Sequence, residues 1–164
     1  MTAYIALGSN LGDSPTILKQ VMARLEALSR QPLRRSSLWQ TTPVDCPPGS
    51  PLFINAVVAL DPLPDETSWS LLRQLQALEK EFGRLPKKLL NEPRRLDLDL
   101  IAYGGEISTR PELVLPHPRV HLRRFVLQPL SEIAPELILP GQRATIAQLL
   151  ATLTSKEIVV KLNP

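Results

Sequence analysis

Apolar positions along the chain fall into two rhythms, one of period two and one of helical period, and these alternate. Tyr4-Ile5-Ala6-Leu7 is a short apolar run ending in the turn-rich Gly8-Ser9-Asn10-Leu11-Gly12-Asp13, which predicts a strand and then a turn. Ile17, Val21, Leu25 and Leu28 recur at helical spacing and Leu18 and Met22 widen the same face. Ser14 is placed to cap this helix with Pro15 in its first turn, and Pro32 stops it. Leu33 to Thr41 alternates weakly and predicts a strand; Phe53 to Leu60, β-branched and strongly apolar, predicts another able to pair with it. A second amphipathic helix is predicted from Asp65, with Leu71, Leu72, Leu75, Leu78 and Phe82 on one face and Gly83 at its end. Leu96 to Tyr103 reads as a strand turned by Gly104-Gly105, with Glu106-Ile107 opening a return strand. Beyond lie loop, a short helix near Thr145 to Leu153 and a terminal strand at Ile158 to Leu162. The order strand, helix, strand, strand, helix, strand predicts an α+β fold, a ferredoxin-like sandwich of one antiparallel sheet with helices packed on one face. With no internal repeat or linker-like tract, residues 1–164 read as a single domain.

Composition narrows the function classes. The 164 residues are 43% hydrophobic and 21% charged, with 19 Lys+Arg against 16 Asp+Glu, a net charge of +3. That supports a core and excludes both a disordered chain and a strongly basic nucleic-acid tail. The lone Cys46 cannot close an internal disulfide and lacks partners at zinc-ligand spacing, which points to a reducing compartment, the cytoplasm. No run of about 18 apolar residues is present to span a bilayer. The 17 prolines crowd at Pro43, Pro47, Pro48 and Pro51 and at Pro62 and Pro64, so stiff loops join the elements.

The sharpest chemical signal is Arg94-Arg95-Leu96-Asp97-Leu98-Asp99-Leu100. Side chains alternate along a strand, so Asp97 and Asp99 share one face, about 7 Å apart by the strand rise, and the leucines share the other. Strands disfavour aspartate, and hard oxygen ligands without His or Cys select Mg²⁺ or Mn²⁺ over zinc; Mg²⁺ usually binds one or two carboxylates together with substrate phosphates. The plain alternative is a half-solvated strand with a polar outer face. Arg84, Lys87, Lys88, Arg94 and Arg95 form a basic loop with Glu92 as its local acid, either a solvated loop or a phosphate-binding wall leading into the carboxylates. Pro116-His117-Pro118-Arg119-Val120-His121-Leu122-Arg123-Arg124-Phe125 holds both histidines and reads as a second such wall, with Arg119 and Arg124 as ordinary surface charge. Gly8 to Asp13 matches neither nucleotide-binding glycine motif and is read as a strand-to-helix turn, with Ser9 and Asn10 as possible site residues. Trp39 and Trp69 are read as core. Asn55 interrupts the apolar run of its strand and needs hydrogen-bond partners, which a heterocyclic ligand could supply.

Taken together, Tyr4 to Gly12, Phe53-Ile54-Asn55-Ala56, Gly83-Arg84, Pro93 to Leu100, Pro116-His117-Pro118-Arg119, Arg123 to Leu127, Pro129-Leu130 and Glu132-Ile133-Ala134-Pro135 resemble the 6-hydroxymethyl-7,8-dihydropterin pyrophosphokinase family in the same order. The resemblance implies transfer of the β,γ-diphosphate of ATP to the hydroxymethyl group of the dihydropterin, giving AMP, in folate biosynthesis. It further implies that Asp97 and Asp99 hold two Mg²⁺ ions. Gln76, Glu79, Arg84, Arg94, His117 and Arg123 would bind ATP, and Arg84 and Arg94 would stabilise the transition state. Thr41, Pro43, Val44, Phe53, Asn55 and Phe125 would bind the pterin, stacked between the two phenylalanines. The sequence departs from the family at Asn91-Glu92, where Trp-Gly is usual, and at Pro86, where many members have a second arginine. A monomer is expected, with no nucleic-acid or membrane partner. Two other readings share these residues. A metal-dependent phosphohydrolase would need the acids and arginines but no closed acceptor pocket, and an RNA-binding ferredoxin-like module would need more than the 4% aromatics present.

Overall fold

The computed structural model describes residues 1–42, 48–83 and 95–162. In chain order the elements are β1 (Ala3–Ser9), α1 (Ser14–Glu26), β2 (Arg34–Arg35), β3 (Trp39–Thr41), β4 (Phe53–Leu60), α2 (Ser68–Glu81), β5 (Asp97–Tyr103), β6 (Ser108–Arg110), β7 (Leu113–Leu115), a 3₁₀ turn (Val120–Leu122), α3 (Arg124–Ile133), α4 (Ile146–Thr152) and β8 (Val159–Lys161). The main sheet runs β5-β1-β4-β3-β8 with β2 also alongside β4, every pairing antiparallel; β6 and β7 form a separate hairpin. This is the expected α+β class, and β4, the most continuously apolar segment, is an interior strand buried along seven of its eight residues.

Alternation along the strands divides the core into two layers. Ala3, Ile5, Leu7, Ile54, Ala56, Val58, Leu60, Leu98 and Leu100 face α1 and α2. Tyr4, Val57, Ala59, Ile101 and Ala102 face α3 and α4. Helices therefore cover both faces of the sheet, where the sequence placed them on one. The second face is apolar over its middle, and leaving it to solvent would cost roughly 25 cal/mol per Å² of exposed apolar surface. Helix α3 escaped prediction because Pro129 lies inside it and reads as a breaker, although Val126, Leu127, Leu130 and Ile133 keep helical spacing.

Where β5 pairs with β1, Ile5 faces Leu100 and Tyr4 faces Ala102, so Ile101 is an extra residue, a bulge. It puts Ile101 and Ala102 together in the α3 layer and returns Tyr103 to the α1/α2 layer. Other differences are local. Asp13, not Ser14, caps α1, accepting from Thr16 N–H at 3.4 Å, while the Ser14 and Ser9 hydroxyls lie 2.7 Å apart. Helix α2 starts at Ser68, later than Asp65, because Thr67 and Ser70 form a reciprocal cap. The strand expected over Leu33 to Thr41 is split. Between its halves Ser36 N–H donates to the Val57 carbonyl at 2.9 Å and its hydroxyl accepts from Val57 N–H at 2.8 Å. The return strand starts at Ser108, two residues later than the Glu106 expected to open it.

Candidate active site

Residues opposite each other in antiparallel strands share a face, so the register builds rows across the sheet. One row runs Asp97, Gly8, Asn55, Trp39; the next holds Asp99, Ala6 and Val57; Phe53 stands opposite Thr41. All lie on the α3 side. Leu96, Leu98 and Leu100 are buried on the other side while Asp97 and Asp99 are half-buried, as their spacing predicted. Between acid and amide Gly8 contributes no side chain, and the Asn55 amide lies close over it: a Cβ on Gly8 would stand 3.0 Å from Asn55 Nδ2 and 3.9 Å from Phe53 Cδ1. Sequence reasoning assigned Gly8 to a turn and missed this role. The available signal was a small or polar residue at the matching position of adjacent strands. Buried Thr41 donates its hydroxyl to Asn55 Oδ1 at 2.8 Å, which fixes the amide with Nδ2 beside the Gly8 floor. Trp39, expected in the core, is only half-buried and donates Nε1–H to Glu132 at 3.3 Å.

The histidine and arginine wall reaches this face through the bulge. His117 N–H donates to the Ile101 carbonyl at 2.8 Å, and Arg119 N–H donates to His117 Nδ1 at 3.2 Å. Burial pushes the His117 pKa down to about 4; the cations of Arg123 and Arg119 act in the same direction and Asp97 against it. The ring is therefore neutral at pH 7, and with Nδ1 accepting, its proton resides on Nε2, a ready donor to an oxyanion. The Arg123 guanidinium lies over the Phe125 ring, 5.4 Å from its centroid. Phe125, half-buried against the α3-side core, is thus gathered with His117, Arg123 and Asp97. Arg119 is exposed; Arg124, expected to be plain surface charge, donates to the Leu153 carbonyl at 3.0 Å.

A pH dependence follows from His117. Its folded pKa lies below the ordinary value of 6.5, so between pH 6.5 and about 4 the unfolded chain binds the proton more readily. Its contribution to stability is complete above that window and is lost as pH falls through it. In metal-free protein the urea midpoint should fall further across this window for the parent than for His117→Asn; parallel curves would contradict the burial argument.

Glu79 is buried on α2, and its carboxylate accepts from Leu98 N–H at 2.9 Å, on the outer edge of β5 between the two aspartates; Gln76 is exposed on the same helix. Arg84, Arg94, Pro43 and Val44 lie outside the described residues, as do Pro86 and Asn91-Glu92. Among the described residues no group of three or more His, Cys, Asp or Glu side chains converges to hold an ion alone. The aspartate pair instead suits a cation that takes its remaining ligands from phosphate.

Residues 4–135 match the family model described as 7,8-dihydro-6-hydroxymethylpterin-pyrophosphokinase, HPPK. The chain belongs to the HPPK family. A Haemophilus influenzae 2-amino-4-hydroxy-6-hydroxymethyldihydropteridine pyrophosphokinase is 38% identical, covering 100% of this chain and 99% of that protein. One from Pseudomonas aeruginosa is 40% identical over 144 residues, 85% of either chain. The wild-type HPPK-DHPS of Plasmodium falciparum with pteroate has the same fold, at a TM-score of 0.71 and 13% identity over 92% of this chain, which spans 42% of that longer chain. The HPPK match encloses the sheet rows, His117, Arg123 and Phe125, and ends before α4 and β8.

Proposed function

We infer that this chain is a pyrophosphokinase: it transfers the β,γ-diphosphate of ATP to the hydroxymethyl oxygen of 6-hydroxymethyl-7,8-dihydropterin, giving AMP and the pterin diphosphate, a step of folate biosynthesis. Besides family membership, the observation that supports it most is the row Asp97, Gly8, Asn55. The backbones that carry acid and amide stand two strand spacings apart, about 10 Å, with Gly8, which has no side chain, between them. A flat heterocycle laid between them keeps its polar edge at Asn55 and points its substituent toward the carboxylates.

The reacting hydroxyl oxygen bonds to the β-phosphorus, the bond from that phosphorus to the α–β bridging oxygen breaks, AMP leaves, and the hydroxyl proton passes to solvent. Asp97 and Asp99 would hold Mg²⁺, two ions in our reading, which when bound neutralises phosphate charge and lowers the pKa of the hydroxyl. His117 Nε2–H and the Arg123 guanidinium would hold phosphate oxygens, joined by Arg84 and Arg94, which we assign to charge stabilisation in the transition state. Gln76 and Glu79 would face the nucleotide. Phe53 and Phe125 would stack the ring, with Asn55, Thr41 and the segment of Pro43 and Val44 at its polar edge. We also propose that residues 1–164 act as one domain and as a monomer in the cytoplasm. The shared sheet of β1 and β8 supports the single domain, and the lone Cys46 supports a reducing compartment. Among the described residues no helix is long and apolar enough to cross a membrane.

The test is product identity. Incubation with ATP, Mg²⁺ and the pterin alcohol should yield AMP and pterin diphosphate in equal amounts, and nothing without the alcohol. ADP would mean ordinary kinase chemistry, and nucleotide hydrolysis independent of the alcohol would favour a phosphohydrolase.

A further inference from the structure

The segment after α4 runs extended with odd-numbered residues turned inward: Leu153, Ser155, Glu157 and Val159 are half-buried while Thr154, Lys156, Ile158 and Val160 are exposed. Within it Glu157 is held by a local turn, its N–H donating to Ser155 Oγ at 3.1 Å and its Oε1 accepting from the Ser155 hydroxyl at 3.2 Å. Its other oxygen, Oε2, accepts from Phe125 N–H at 3.1 Å, at the first turn of α3. That turn has no side-chain cap of its own, since Arg123 at the N-cap makes no such bond. A carboxylate there satisfies an orphan backbone donor and meets the positive end of the helix dipole.

The next residue ties the same segment to the opposite wall. Ile158 N–H donates to Thr42 Oγ1 and the Ile158 carbonyl accepts from Thr42 N–H, both at 3.2 Å. Thr42 follows Thr41, whose hydroxyl orients Asn55. Two adjacent residues of the tail therefore grip both the helix end that carries Phe125 and the strand end that serves Asn55.

Resting on the pterin reading above, we propose that Glu157 is a positioning residue for the pterin: through the Phe125 amide it sets the ring of Phe125 against the bound pterin, and the tail from Ser155 to Ile158 holds the two walls of the pocket in register. The effect falls chiefly on the pterin, because His117 and the aspartates are fixed by other bonds, His117 N–H to Ile101 and Leu98 N–H to Glu79, and only Arg123 among the described nucleotide groups shares the turn that Glu157 holds.

The test is steady-state kinetics of AMP formation in the full chain with Glu157→Ala, Glu157→Gln, Phe125→Ala and the double variant Glu157→Ala/Phe125→Ala. Glu157→Ala should raise the pterin KM about tenfold, the order expected for a lost charge-assisted hydrogen bond, and change the ATP KM less than about twofold. Glu157→Gln keeps an oxygen acceptor and should hold the rise to about threefold. If Glu157 acts through the ring, adding Glu157→Ala to Phe125→Ala should change the pterin KM by less than about twofold. Equal rises in both KM values, an unchanged pterin KM, or full multiplication of the two effects would each overturn the proposal. Should Glu157→Ala not fold, Glu157→Gln decides alone: a pterin-selective rise supports the role and an unchanged pterin KM ends it. Parent protein that forms no AMP would instead refute the pyrophosphokinase reading, and this inference with it.

Discussion

Asp97→Asn and Asp99→Asn should each lower AMP formation by roughly a thousandfold or more while leaving the protein folded. Metal-assisted phosphoryl chemistry draws several kcal/mol from cation stabilisation, and each 1.4 kcal/mol or so is a tenfold change in rate. A carboxamide keeps the shape of the side chain and removes the charge that holds the cation. Because the pair acts as one unit, the double variant should be scarcely worse than either single one. Stability tells a different story. The packing of β5 is carried by Leu96, Leu98 and Leu100 on the opposite face, all buried, and by the Leu98 N–H bond to Glu79. The melting temperature should therefore move by no more than about 2 °C, as for a substitution outside the core. Either aspartate variant keeping a tenth of the parent rate would remove the cation from the mechanism, and a large loss of melting temperature would make the aspartates part of the core instead.

Asn55→Leu should raise the pterin KM by roughly a hundredfold with the ATP KM nearly unchanged. The two side chains have the same number of heavy atoms and the same branching at Cγ, so the change removes the hydrogen bonds while keeping the outline of the side chain. A site built to pair a polar edge rejects mismatch strongly, by factors of about ten thousand or more in the best cases, because buried groups are left unpaired. Here two are affected: the heterocycle loses its amide, and the Thr41 hydroxyl loses its acceptor. Thr41→Val added to Asn55→Leu should then cost little more. Titration of the pterin at saturating ATP, beside titration of ATP at saturating pterin, separates the outcomes. Equal losses in both would place Asn55 in the general architecture of the sheet rather than at the pterin.

The parts of this molecule that sequence resolves best are those fixed by period-two alternation. β4 appears at its expected limits, β5 within one residue, and the shared face of Asp97 and Asp99 follows from parity alone. The aromatic wall was legible as residue types, but the helix carrying Phe125 was not, because a proline inside a helix contradicts local propensity and tertiary packing overrides it. Gly8 was hidden for another reason. Its meaning lies in what stands opposite, Asn55 on one side and Asp97 on the other, and register is a long-range property. Glu157 was more remote still, bonded to a partner thirty-two positions away through a backbone amide that leaves no trace in residue identity.

The additional residue at Ile101 carries a consequence for how this sequence tolerates change. In a regular strand of this same length Asp97, Asp99 and Tyr103 would share one face; the bulge makes the acids and the tyrosine look in opposite directions, and Tyr103 reaches the Glu66 carbonyl at 2.8 Å from the other layer. Deleting the extra residue would restore regular alternation and leave both ends of the strand on their present faces, whereas deleting a residue between Asp97 and Leu100, where the pairing is already regular, would force the strand to invert one end. A change of length should therefore be tolerated best at the bulge itself and in the Gly104-Gly105 turn and the hairpin beyond it, where the phase of the acids is untouched.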